Sequence, residues 1–182
     1  TEWIDTMVLR SPDAPDGTTG SFTVELAVDG ALDAFLPTGW TSYLGTQVRS
    51  SWSASVWVDG AVRDVLTVSC FGALDLACSP FGVRNYYPPG GGYESTPLAA
   101  AFGSFSLGPY DFTWGQPFTI DVLIGTSTAV NRASNTTGNP NASADVTSAS
   151  LTLLSLYDAS AGGGNPVPVV NARASAASGS AW

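Results

Sequence analysis

Acid–base and nucleophilic chemistry in proteins draws first on histidine, and this 182-residue sequence has none. It has no lysine either, so its six basic residues are all arginine. Without imidazole, Ser–His and Cys–His nucleophiles and His-based zinc sites are excluded. A glycoside hydrolase needs only two carboxylates. The candidates are Glu25 and Glu94, with any of the aspartates as partner. Glu25 falls on the polar side of an alternating segment and Glu94 in a Gly/Pro-rich one, and no spacing pairs them. Solvated surface carboxylates are the simpler reading. No catalytic residue is assigned, and the chain is expected to be a non-enzyme without a cofactor.

Hard cations take Asp carboxylates and loop carbonyls. Asp13 and Asp16 in SPDAPDG are therefore the calcium candidates, with Asp29 and Asp33 similarly close. Short turns also use Asp to cap their own backbone, so no metal is assigned. Cys70 and Cys78 flank a short loop in CFGALDLAC. With no histidine or further cysteine to complete a soft-ligand set, they are expected to form a structural disulfide of an exported protein.

Aromatic side chains are the more informative set. Trp40 and Tyr43 lie in a Gly/Thr loop, Trp57 opposes its segment's apolar row, and Tyr86, Tyr87 and Tyr93 flank PPGGG. Exposed rings of this kind stack on sugars or anchor a protein partner. Asn135-Thr136-Thr137 and Asn141-Ala142-Ser143 match the N-glycosylation acceptor pattern.

Composition narrows the partner classes. Six arginines against fifteen acids leave a formal charge of −9, which excludes nucleic acid and anionic membranes as phosphate-neutralising partners. Charged residues are only 12% of the chain, about half the usual share, while hydrophobic residues reach 44%. A surface rich in Gly, Ser, Thr and Ala suits a wall or matrix component. No signal-peptide pattern or long apolar span occurs, so any export signal is expected to have been removed and the mature form is expected to lie off the membrane.

The elements that must position these residues are strands. Apolar residues recur at period two: Phe22, Val24, Leu26 and Val28, then Val48, Trp52, Ala54, Val56 and Val58, then Phe118, Ile120, Val122 and Ile124. Asp59-Gly60 supplies the two positive-φ positions of a type I′ hairpin, with Val62, Leu66, Val68 and Cys70 on the return strand. Further strands are expected at 99–107, 144–157 and 167–174. SPDAPDGTTG, NYYPPGGGYESTP, NRASNTTGNPN and SAGGGNP read as loops, because Gly and Pro at that density fit neither helices nor central strands. The expected fold is all-β, an antiparallel sandwich of jelly-roll type with roughly eight to ten strands.

Residues 1–10 read as an N-terminal strand. Trp3, Met7 and Leu9 share one face and Ile4 and Val8 the other, so burial is wanted on both sides. With 11–20 as a flexible linker and 21–182 as the sandwich domain, this strand is a candidate donor to a neighbouring subunit's sheet, contacting it through Trp3, Ile4, Met7, Val8 and Leu9; a first strand of its own sandwich is the alternative.

WGQPFTIDVLI from Trp114, NASADVTSASLTLLSLYDA from Asn141 and GNPVPVVNARASAASGS from Gly164 together give a pattern. It resembles the region before the sorting tail in bacterial exported proteins of the PEP-CTERM (exosortase-sorted) class. The tail itself, a Pro-Glu-Pro motif, apolar helix and basic end, is absent from the sequence, as removal by processing or truncation would leave it. The resemblance implies export in a Gram-negative bacterium and a place in its extracellular matrix or biofilm. It transfers no catalytic residues. The functional expectation is a secreted structural protein of the matrix or cell surface that self-assembles into filaments by strand addition, its partners being copies of itself. The alternative is a carbohydrate-binding module that holds extracellular polysaccharide with its loop aromatics.

Overall fold

A computed structural model describes residues 1–37, 47–74, 78–131, 140–158, 167–169 and 171–178. The described residues form no helix and twelve strands: β1 (Glu2–Arg10), β2 (Thr19–Leu36), β3 (Gln47–Val58), β4 (Ala61–Phe71), β5 (Ala73–Leu74), β6 (Phe81–Tyr86), β7 (Glu94–Pro97), β8 (Gly103–Thr113), β9 (Pro117–Asn131), β10 (Asn141–Asp158), β11 (Val167–Pro168) and β12 (Arg173–Ala176). Two of these, β5 and β11, are two residues long, leaving ten longer ones. They make two sheets. The first runs β12-β1-β9-β3-β4-β6-β7; the second runs β11-β10-β2-β5, with β8 paired to β2 as well. Pairing is antiparallel apart from the short β2–β5 contact. The fold is thus an all-β sandwich; jelly-roll wrapping, the finer expectation, is not traced by these pairings.

The period-two pattern does what it implies. Val24, Leu26 and Val28 of β2 face Trp52, Ala54 and Val56 of β3 and Ile120 of β9 in one core from which water is excluded. Each buried Val, Leu or Ile among them contributes roughly 1.5–3 kcal/mol. One end of the core is aromatic: Phe22 meets Tyr110 edge-on at 5.3 Å and Phe118 at 5.2 Å, and Phe112 meets Trp114 at 4.7 Å. This cluster dictates Gly20, where a Cβ would stand 2.6 Å from the rings of Phe112 and Trp114.

The β3–β4 turn is the expected two-residue hairpin, with φ of 50° at Asp59 and 73° at Gly60. Just beyond it the register shifts, from Trp57 opposite Val62 to Val56 opposite Asp64. This bulge corrects the return-strand pattern. Val62 turns outward beside Trp57, and Asp64 takes the inward position with Leu66, Val68 and Cys70.

The first strand lies inside its own sheet. One edge of β1 pairs with β9 and the other with β12. Met7 and Leu9 are buried, Trp3 and Val8 are half-buried, and Ile4 is 58% exposed, so one face is covered and the other only in part. The connection expected to be a flexible linker is turned back and pinned. Ser11 bridges Ala14, Ala14 is buried, Gly17 N–H donates to Trp114 O, and Trp114 N–H donates to Thr18 O. Thr19 and Gly20 already belong to β2. Residues 1–20 are part of the same sandwich as the residues after them. Far along the chain, Ser178 N–H donates to buried Asp5, joining the residues after β12 to β1.

The segment NYYPPGGGYESTP is only partly loop: Asn85 and Tyr86 end β6, and Glu94 begins β7. The expected strand at 99–107 begins later and runs on to Thr113, and the one at 167–174 is two short strands. Cys70 and Cys78 are disulfide-bonded, with Cα atoms 5.6 Å apart. Among the described residues no helix is long and apolar enough to cross a membrane.

Candidate binding groove

Alternation along β4 and β6 leaves every second side chain on the outer face of the first sheet. Cross-strand pairing sets them in rows: Arg49 with Phe71, Ser69 with Phe81, Thr67 with Val83, and Val65 with Asn85, which in turn faces Ser95. Arg49, Thr67, Ser69, Phe71, Phe81, Val83, Asn85, Tyr87, Tyr93 and Ser95 line a groove of about 610 Å³ on this face. Its floor is made of hydroxyls, an amide and one valine, and aromatic rings stand at both ends.

At one end Phe71 and Phe81 stack with centroids 5.8 Å apart and planes 11° from parallel. They remain 40% and 55% exposed. The Arg49 guanidinium lies 5.6 Å from the Phe71 centroid, and its Nη2 donates to Ser69 Oγ at 2.8 Å. At the other end Tyr87 and Tyr93 stand 6.0 Å apart, with Tyr93 66% exposed. Phe81 and Tyr87 are six residues apart along an extended chain, so the two ends are separated by roughly 20 Å. The disulfide holds the phenylalanine end: Phe71 follows Cys70, and Phe81 lies three residues after Cys78.

The opposite side of the same strands carries a different cluster. Asp64, with no solvent exposure, accepts hydrogen bonds from Arg84 Nε and Nη2, from Tyr110 Oη at 2.7 Å and from Gly108 N–H at 3.2 Å. Arg84 also donates to Gly108 O and Ser106 O, tying β6 to β8. Burial by itself would lower the Arg84 guanidinium, but the hydrogen bond and charge of Asp64 outweigh it and hold Arg84 above its ordinary value. Burial, then the charge of Asp64, push the Tyr110 phenol far up. Tyr110 is buried and Arg84 and Gly108 are half-buried, and the cluster ties the two sheets together beneath the groove.

The aromatic set read from the sequence divides. Tyr87 and Tyr93 reach the groove. Tyr86, one residue earlier in a strand, faces inward, donates to Pro109 O at 2.8 Å and lies under Arg84. Trp57 is on the groove's face of the sheet but in the row of Ile4, Asp121 and Val62, outside the groove lining. Trp40, Tyr43 and the acceptor site at Asn135 lie outside the described residues, whereas Asn141 opens β10 and is exposed. Phe71, Phe81 and Arg49 were missed; an aromatic placed close after each cysteine is the signal that points to the first two.

The remaining candidates are dispersed. Glu25 sits on the outer face of the second sheet and Glu94 on β7 of the first, so the fold does not pair them. Asp13 accepts from Asn171 Nδ2 and Asp16 lies 3.9 Å from Arg10. Among the described residues no three His, Cys, Asp or Glu side chains gather as a metal site.

No family model, characterised protein or solved structure matches this chain.

Proposed function

We propose that this chain is an exported, non-enzymatic β-sandwich that binds polysaccharide along the outer face of its first sheet. The observation that carries the reading is the groove with an aromatic ring pair at each end, Phe71, Phe81 and Tyr93 exposed and Tyr87 half-buried, and hydrogen-bonding groups between them. Sugar rings have an apolar C–H face and a rim of hydroxyls. They fit a surface on which aromatic platforms alternate with Ser, Thr and Asn. A formed disulfide fits an oxidising compartment. With the C-terminal pattern of the PEP-CTERM class, it supports a place in the extracellular matrix or biofilm of a Gram-negative bacterium.

The test is a glycan array followed by calorimetric titration of the best ligand. Phe81 exposes 55% of a ring side chain, on the order of 100 Å². Covering half of that area is worth about 1.3 kcal/mol, so Phe81→Ala should weaken binding roughly tenfold. Tyr93→Ala should do the same and Trp57→Ala should not. A blank array, or binding indifferent to Phe81 and Tyr93, contradicts the proposal.

Self-assembly by strand addition is a second reading, now favoured by a different strand. Of the long strand β10, only Tyr157 and Asp158 pair with β11, and Leu156 O accepts from Val169 N–H. No described strand covers the rest of that edge, which carries Ser, Thr, Ala and Leu with Asp145 as its one charge before Asp158. Such an edge is a template for another chain, although its two bulges blunt it. If it polymerises the protein, Ser150→Lys should abolish fibres in negative-stain micrographs; fibres that persist would remove β10 from the interface.

A further inference from the structure

Arg49 is the single charged side chain among the ten that line the groove. This is notable in a chain of formal charge −9, where a cation has many carboxylates to pair with. Arg10 lies near Asp16, and Arg84 holds Asp64. Arg49, like Arg63 and Arg173, has no ion pair with a described residue. Its one hydrogen bond goes to the neutral Ser69 hydroxyl, its Nε has no partner, and its guanidinium is held by the Phe71 face. A guanidinium has five N–H donors in a planar fork suited to oxyanions.

We infer that the groove selects an acidic polysaccharide, one whose sugars carry an oxyanion that meets Arg49 while their rings stack on the aromatic ends. This rests on the groove being a glycan site. Charge complementarity sets the class: the groove lining has one cation and no acid, whereas the molecule as a whole is acidic. A neutral glycan would bury the Arg49 charge without an opposite one. A phosphate-rich polymer is disfavoured by the −9 charge around it, but a short acidic oligosaccharide needs only one local contact. The oxyanion is a carboxylate or a sulfate ester.

The experiment compares tetragalacturonate, its full methyl ester, and a carrageenan tetrasaccharide by calorimetry against the intact chain. Binding of one acidic sugar about tenfold tighter than the neutral ester, with that preference lost in Arg49→Gln, is expected. The arm that binds identifies carboxylate or sulfate. Arg49→Lys should keep part of the preference, because charge remains while the fork does not. Thermal unfolding of Arg49→Gln that superimposes on the parent's is the folding control. Equal binding of acidic and neutral sugars that still depends on Phe81 overturns this inference and leaves the glycan groove standing. Absence of binding by all three, with a neutral glycan bound on the array, also overturns it. A blank array as well defeats both readings.

Discussion

Removing the Asp64 carboxylate should cost more stability than any surface change in the molecule. Asp64→Ala takes away the acceptor of four hydrogen bonds and leaves behind the Arg84 cation, the buried Tyr110 hydroxyl and the Gly108 N–H. Deleting one partner of a buried ion pair costs about 3–5 kcal/mol, mostly because the other charge is stranded. The molecule's whole stability is on the order of 5–15 kcal/mol, so the variant should be folded but fragile. At roughly 2–4 °C per kcal/mol for a chain of this size, Tm should fall by about 6–20 °C. Scanning calorimetry reads the loss, and urea melts check that cooperativity survives. A companion, Asp64→Leu with Arg84→Met, removes the stranded charge too and should recover part of the loss. A fall in Tm of less than about 2 °C for Asp64→Ala, or a double variant worse than the single one, would refute the reasoning that this network locks the sheets.

Alkaline pH should attack the same cluster. Tyr110, and to a lesser degree Tyr86, have folded values raised above the ordinary tyrosine range, by burial first and then by nearby acids. Their contribution is fully present below about pH 10 and is lost as pH rises further, because the unfolded phenol ionises first. The chain has no lysine to obscure this. Urea melts between pH 9 and 11 should show stability falling by up to about 1.4 kcal/mol per pH unit for each such tyrosine, and Tyr110→Phe should flatten the slope; an unchanged slope would mean that Tyr110 is not responsible. Opening the disulfide with Cys70→Ser and Cys78→Ser should cost about 2–3 kcal/mol and, by releasing Phe71 from Phe81, weaken glycan binding as well; unaltered binding would show that the strands position the rings unaided.

The sandwich was legible because burial imposes period two on every strand long enough to show it. Val24, Leu26 and Val28 announce β2, and Asp59-Gly60 announces the β3–β4 hairpin. Two local events hid the rest. The bulge between Val62 and Asp64 turns Val62 to the outer face, although alternation counted back from Cys70 through Val68, Leu66 and Asp64 would place it inward, and no alternation count reveals an inserted residue. In the NYYPPGGGYESTP segment Gly and Pro suggested one long loop, yet Tyr86 is in a strand. A single position therefore sends Tyr86 inward and Tyr87 outward. The groove was half legible for a related reason: Tyr87 and Tyr93 stood out beside their glycines, whereas Arg49, Phe71 and Phe81 come together only through pairing across β3, β4 and β6. The N-terminal strand read correctly as a strand. That β12 closes its outer edge depends on a four-residue segment far along the chain, which local pattern could not link to it.

Backbone amide shift mapping by NMR, with an array-selected oligosaccharide titrated into the labelled protein, tests the groove most directly. Binding there predicts perturbations at Phe71, Phe81, Tyr87 and Tyr93 and the strand residues between them, with β10 silent. Perturbations confined to the β10 edge or to the Ile4 and Trp57 row, with the groove unmoved, would contradict it.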